Sequence, residues 1–375
     1  MLSLKSKDFK KNLVLILSIL VFIFGISSCA MPVRKSQAVL EKGAEKKGIY
    51  GYLVSLLSYA SLAPSSYNTQ PWKIKVVSDS EIIVQADQSR WLSRVDPDAR
   101  EVLLSLGAFW ENLEQAAVTL GIRTDAQIIC LVGQDTDILR IKFSKGYAEE
   151  NNSLKLMQIR ATNRYIFKIK DIESGDLDKI KELLPDNLVY FSRNTQSGEW
   201  IARSLIEAKK KQVFNDEKQK ETSEWLRFKV NLANKTNDGL TPLALGLGRR
   251  ERFLWYNFKT QESALSKSFR NKAVNNITRQ VNNCSGFVII ASIDNSPTSL
   301  LAAGRELERL ELKCTELGIV FQPMSEILEE SPWKDDIAQV LGLRRKVQFV
   351  VRIGYPVKPA KVSLRRPVAE FINLR

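Results

Sequence analysis

Two stretches of this 375-residue chain, Leu103 to Ile122 and Leu300 to Ile319, line up without a gap at a separation of 197 residues. They share leucines, glutamate, two glycines and the closing isoleucine, an internal repeat that limits the architectures open to the chain. In each copy the apolar positions recur by threes and fours: Leu106, Trp110, Leu113, Ala117 and Leu120, then Ala303, Leu307, Leu310, Cys314 and Leu317. That spacing predicts a long helix with one buried stripe. Gly107 and Gly304 sit inside the stripe, where glycine costs ~1 kcal/mol relative to alanine. Its presence on the buried side of both copies implies a backbone that approaches another closely. Gly121 and Gly318 are placed to end the helices as left-handed caps.

Strand-like runs flank each helix. Trp72 to Val77 and Glu81 to Val84 precede the first, and Gly286 to Ser292 precedes the second. Gln127 to Val132 and Val347 to Ile353 follow them. The expected fold class is therefore α+β, with two tandem half-units over residues 49–150 and 151–375. The second carries an insertion at about 204–282, whose glycine-dotted, aromatic middle from Asn237 to Asn257 suits either a lid or packing between helices. The run Lys209 to Lys211 reads as a solvated helix face.

The amino terminus reads as an address. Lys5, Lys7, Lys10 and Lys11 precede an apolar run from Leu13 to Phe24, a signal-peptide layout. The uncharged stretch from Asn12 to Met31 is barely long enough to span a bilayer as a retained anchor. Ile26-Ser-Ser-Cys29 resembles a bacterial lipobox, which implies a signal peptide over residues 1–28, lipidation of Cys29, a tether over 29–48 and an exported, lipid-anchored body. Cleavage leaves +11 of the net charge of +14, which suits anionic headgroups or a phosphate-bearing ligand better than nucleic acid.

The chain has no histidine, which excludes histidine-dependent triads, histidine-ligated zinc or haem, and histidine pH switches. Its four cysteines show no paired spacing, so no metal site, no disulfide framework and no reactive thiol is expected. Chemistry must come from other groups or a cofactor.

The stretch Ala60-Ser-Leu-Ala-Pro-Ser-Ser-Tyr-Asn-Thr-Gln-Pro-Trp72 leaves an apolar helix at Pro64 and offers short hydroxyls and planar amides, able to grip a flat heteroaromatic amide. Its Ala-Pro-Ser-Ser-x-Asn-x-Gln-Pro-Trp pattern resembles the flavin signature of the nitroreductase-like FMN oxidoreductases. In that family two subunits build each FMN site, one supplying the serine-asparagine turn and the other an Arg-x-Ser-x-Arg-like element and a closing basic pair. Here the latter two match Arg160-Ala-Thr-Asn-Arg164 and Ser363-Leu-Arg-Arg-Pro367, both in the second half. Together with Asp96-Pro-Asp-Ala-Arg-Glu101, this layout resembles the fused, Acg-type branch, a tandem duplication of the nitroreductase-like fold with two mixed or antiparallel sheets around long central helices.

The resemblance implies a monomer holding one FMN at the interface of the two halves. Arg160, Thr162 and Arg365 would hold the phosphate with Arg366 nearby, and Arg164 would face the flavin N1 and O2 edge. Pro64, Ser65, Ser66 and Asn68 would line the other side, with Gln70 fixing the turn. Pro323, Met324 and Ser325 match the segment beside flavin N5, although Ser325-Glu326 stands where many relatives carry glutamate-glycine. No protein nucleophile is required. The expected activity is two-electron transfer to a nitroaromatic, quinone-like or other small acceptor, the alternative being an envelope lipoprotein that holds flavin without turnover.

Overall fold

The computed structural model describes residues 51–183 and 187–373. The signal peptide, Cys29 and the tether lie outside the described residues, as does the start of the first half. No helix among the described residues is long and apolar enough to cross a membrane.

The first half contains helix α1 (Gly51–Ala60), strands β1 (Trp72–Ser78) and β2 (Glu81–Ala86), helix α2 (Arg100–Thr119), and strands β3 (Ile122–Ile128) and β4 (Asp137–Lys145). The second opens with α3 (Ser153–Ile159), α4 (Ser174–Leu183) and β5 (Leu188–Ser192). It continues through α5 (Gln196–Phe214), α6 (Asp216–Glu224), α7 (Val230–Thr236), α8 (Arg249–Phe258), α9 (Gln261–Ala264) and α10 (Lys267–Val281). It closes with β6 (Gly286–Ser292), α11 (Pro297–Glu316), β7 (Val320–Pro323), α12 (Glu326–Glu329), α13 (Trp333–Val340), β8 (Lys346–Gly354) and β9 (Ile372–Asn373).

The repeated helices are α2 and α11, and they pack directly on each other at the centre. Gly121 and Gly318 follow them with φ of 70° and 69°, the expected left-handed conformation, which glycine adopts without a side-chain clash. Ser296 caps α11 by accepting a hydrogen bond from the Ser299 N–H, and Pro297 occupies the first turn, where its missing N–H costs nothing.

One sheet runs β3-β4-β2-β1-β9 and the other β5-β6-β8-β7. Every pairing is antiparallel except that of β9 with β1. The chain's last strand thus crosses back to complete the first half's sheet, and the two half-units share hydrogen bonds as well as core. In the first sheet Trp72 and Ile74 point inward while Lys73 and Lys75 point out, the alternation of a sheet with one wet face. Strand β6 is buried along its whole length. Val288 and Ile290 pack toward the central helices, while Phe287 and Ile289 pack into a second core with Ile201 and Leu205 of α5 and Ile277 of α10.

Two expectations shift. The strand expected over Gln127 to Val132 begins at Ile122 and ends at Ile128. Beyond it the backbone N–H groups of Leu131 and Val132 turn to donate to the Asp135 carboxylate, leaving Leu131 85% exposed. The insertion does not start a new element at Ser204, because α5 runs through that position with Ile201 and Leu205 on one buried face. Its middle forms a core of its own from Leu226, Phe228, Leu240, Leu247, Trp255 and Tyr256, with the Phe228 and Trp255 rings stacked at 5.1 Å.

Candidate functional site

The turn after α1 is built by hydrogen bonding within the quoted motif. Tyr67, Asn68 and Gln70 all take positive φ, between 49° and 56°, a strained conformation for residues with side chains. The strain is held from several sides. Ser65 Oγ accepts from the Gln70 N–H at 2.9 Å, and Gln70 Nε2 donates to Asn237 O at 2.9 Å. Arg366 N donates to Gln70 Oε1 at 2.8 Å, while the Arg366 guanidinium donates to Gln70 O and Trp72 O. Gln70 fixes the turn, as expected.

Between this turn and the second half lies a cavity of about 280 Å³, near the lower end of small-molecule sites, which run ~300–1,000 Å³. Pro64, Ser65, Ser66 and Tyr67 line it from the turn, and Glu101, Leu104, Ser105 and Ala108 line it from α2. Thr162, Arg164, Pro323 and Ser325 line it from the second half. The insertion roofs it with Leu226, Leu240, Leu245, Leu247, Trp255 and Phe269. Seven of the predicted cofactor residues therefore share one cavity: Pro64, Ser65, Ser66, Thr162, Arg164, Pro323 and Ser325.

Five others stand behind its wall. Arg160 is 4% exposed and donates to Glu311 Oε2 at 2.7 Å and to Leu62 O at 2.6 Å, with Glu308 3.4 Å away. Arg365 donates to Asn68 Oδ1, Leu62 O and Ala63 O, each at 2.8 Å. The carbonyls left open at the end of α1 and the carboxylates of α11 thus take the guanidiniums that were expected to surround a phosphate. Asn68 turns the same way, donating to Gly239 O and Leu364 O. Arg366 is occupied by the turn, and Met324 is buried in the second core with its N–H donating to Val350 O.

Arg164 differs from these. Its guanidinium donates to Ala244 O at 3.1 Å, and no carboxylate comes within ion-pair reach of it among the described residues. Burial lowers its proton affinity despite the more distant Glu326 and Glu311. A half-buried cation on a cavity wall favours an anionic or carbonyl-bearing ligand.

Several wall residues were not anticipated. Lys209, expected on a solvated face, lies on the same side of α5 as Gln212 and Val213 and pairs with Glu326 at 3.1 Å. Burial opposes its charge, but Glu326 outweighs it and raises the ammonium's affinity for its proton. Glu101 accepts from Ser66 Oγ, and Glu329 accepts from Gln212 Nε2. Burial, then the charge of Glu101, holds the Glu329 carboxyl well above the usual carboxylate range. The signal for Glu101 lay inside the quoted Asp96-to-Glu101 motif: Asp96 accepts from the Glu101 N–H at 2.9 Å and so sets the start of α2. Glu326 and Lys209 met only through the fold and had no such signal. The described cysteines, Cys130, Cys284 and Cys314, are buried and free, and burial pushes the Cys284 thiol up to about 11.

Residues 52–129 match the model of the nitroreductase family. The chain is 23% identical over 344 residues, 86% of its length, to two curated relatives described as "Putative NAD(P)H nitroreductase acg", from Mycobacterium tuberculosis strains CDC 1551/Oshkosh and ATCC 25618/H37Rv, covering 95% of each. A solved structure described as a "putative nitroreductase" from Anabaena variabilis ATCC 29413 aligns with a TM-score of 0.36 and 13% identity, covering 82% of this chain and 88% of that one.

Proposed function

We propose that this chain, which is similar to the nitroreductase family over residues 52–129 and to curated Acg-type relatives over most of its length, is an FMN-binding enzyme of the cell envelope that passes two electrons from a reductant to a small aromatic or quinone-like acceptor. The observation that carries the reading is Arg164, a half-buried guanidinium with one carbonyl partner on the wall of a cavity shared by both halves.

Bound FMN would supply the hydride chemistry. Arg164 and Thr162 would hold the ligand's anionic or carbonyl edge, because a guanidinium offers forked, permanently charged donors. Pro64, Ser65 and Ser66 would bound the opposite side on a turn whose strain fixes it in advance. Pro323 and Ser325 would form the wall beside the reacting edge. Arg160 and Arg365 act from behind, pinning the end of α1 to which the serine turn is attached. The apolar roof of Leu226, Leu240, Leu247 and Trp255 would exclude water and favour a flat, weakly polar acceptor.

The test is the cofactor itself. Purified protein is expected to carry FMN in a ratio near one per chain, to bleach anaerobically with NAD(P)H or dithionite, and to regain colour on addition of menadione or nitrofurazone. Protein that takes up no FMN would overturn the proposal. A flavin that dithionite reduces but no acceptor reoxidises would favour the flavin-holding alternative.

A further inference from the structure

Helix α8 is a single-layer wall between the cavity and solvent. Trp255 on its inner side lines the cavity and stacks on Phe228. On its outer side Arg250, Leu254 and Phe258 fall at four-residue intervals, one stripe of a helix, with Phe253 packed edge-on against Phe258 at 6.3 Å. Leu254 is 52% exposed and Phe258 67% exposed.

The charge around this stripe has one sign. Arg249 and Arg250 are exposed and make no ion pair among the described residues. The helix's one carboxylate, Glu251, is engaged by Lys272 at 3.0 Å and by the Gly248 N–H at 2.9 Å. Exposed apolar side chains flanked by uncompensated arginines match an interfacial helix, in which basic residues are drawn to an anionic bilayer. The whole chain carries +14, and its sequence includes the apolar run Leu13 to Phe24 and the lipobox-like Cys29.

We propose that the outer face of α8 docks on an anionic phospholipid surface and sets the cavity one helix away from the bilayer. Leu254 and Phe258 enter the headgroup boundary, and Arg249 and Arg250 meet lipid phosphates. The proposal rests on the envelope placement and not on flavin, so a colourless preparation tests it equally well.

The experiment uses the full chain in phosphatidylglycerol-containing vesicles, with a bimane probe on Leu254→Cys or, on another surface, Ile293→Cys, where the native side chain is 77% exposed. Signal is taken above that of the unaltered chain, which corrects for Cys29. The Leu254 probe is expected to shift blue and to be quenched at least ~2-fold more by doxyl-labelled lipid than the Ile293 probe. The difference should vanish in pure phosphatidylcholine, in about 0.5 M salt, where the Debye length drops below ~8 Å, and in R249E/R250E. Equal quenching at both positions on vesicle-bound protein would overturn the proposal. So would a Leu254 probe shielded without lipid in a dimer, which would make this face a contact between copies.

Discussion

Gly107 and Gly304 face each other where α2 crosses α11. A Cβ on Gly107 would lie 2.1 Å from Leu301 O, and one on Gly304 would lie 2.0 Å from Leu104 O. Each glycine therefore makes room for the other helix's backbone at the homologous position of the repeat, so the crossing has approximate twofold symmetry. Either G107A or G304A forces the central helices apart and is expected to destabilise by at least ~1–3 kcal/mol, the range for overpacked cores. Gly175, with nothing within 4 Å of a built Cβ, is the control. G175A should leave the melting temperature unchanged or raise it, and equal behaviour of all three variants would refute the close-crossing account.

Glu111 and Glu308 are also homologous in the repeat, and their surroundings divide them. Burial would raise the Glu111 carboxyl, but Arg309 and Arg305, each 2.8 Å away, outweigh it and hold it low. Glu308 has Arg160 at 3.4 Å, and there burial prevails, pushing the carboxyl up to about 8 from 4.5. The folded state thus keeps a proton on Glu308 that the unfolded chain gives up above about 4.5. Stability from this group is complete below that pH and is lost as pH rises through about 8. Asp96, raised to about 7 chiefly by burial and then by Glu101, acts in the same direction. Melting temperature should fall between pH 5 and 8 more steeply in the wild type than in E308Q, at ~2–4 °C per kcal/mol. Identical slopes would remove Glu308 from the pH response.

Arg160 and Arg164 belong to one short motif but answer different demands. Replacing Arg160 with alanine leaves Glu311 buried without its partner at 2.7 Å, a defect of ~3–5 kcal/mol, and should cut folded yield. Arg164→Ala removes a cation whose one protein hydrogen bond goes to Ala244 O, so stability should change by less than ~1 kcal/mol while FMN retention falls at least ~10-fold. R164K should restore binding only in part, since an ammonium lacks the forked geometry. Isothermal titration with FMN alongside thermal melts separates the two effects. An R164A variant that binds FMN as tightly as wild type would remove this residue from the site.

The central helices were legible in the sequence because a stripe of leucines with glycine in its middle has few other uses, and the capping glycines followed from where the periodicity stops. The serine turn was legible because Pro64 and the short polar side chains can do little else after an apolar helix. The destination of the arginines was not. Spacing groups Arg160, Thr162 and Arg164, yet which guanidinium reaches the cavity depends on the Leu62 carbonyl and on Glu308 and Glu311, which come from other elements and carry no local mark. Lys209 was misjudged for a related reason: three consecutive lysines read as one solvated run, whereas a helix turns each to a different side.

Asp238 ties the insertion to the first half. Its carboxylate accepts from Arg227 Nη2 at 2.6 Å and from Arg90 Nη1 at 2.8 Å, and Arg90 also donates to Thr69 O beside the serine turn. Burial would raise this carboxyl, but Arg227 and its other partners outweigh burial and hold it below the usual range. The clasp is therefore intact above the ordinary carboxylate pKa and loosens only as pH falls through the lowered folded value. D238N leaves Arg227 buried beside a neutral amide, at a cost approaching the ~3 kcal/mol of a broken buried pair. Because the insertion has its own small core, the loss should appear as local opening of the roof over the cavity before global unfolding. Limited proteolysis at neutral pH should cut D238N between residues 225 and 248 several-fold faster than wild type, with melting of the central core little changed. An unchanged cleavage pattern would show that the apolar contacts of Leu226, Leu240 and Trp255 hold the roof without the clasp.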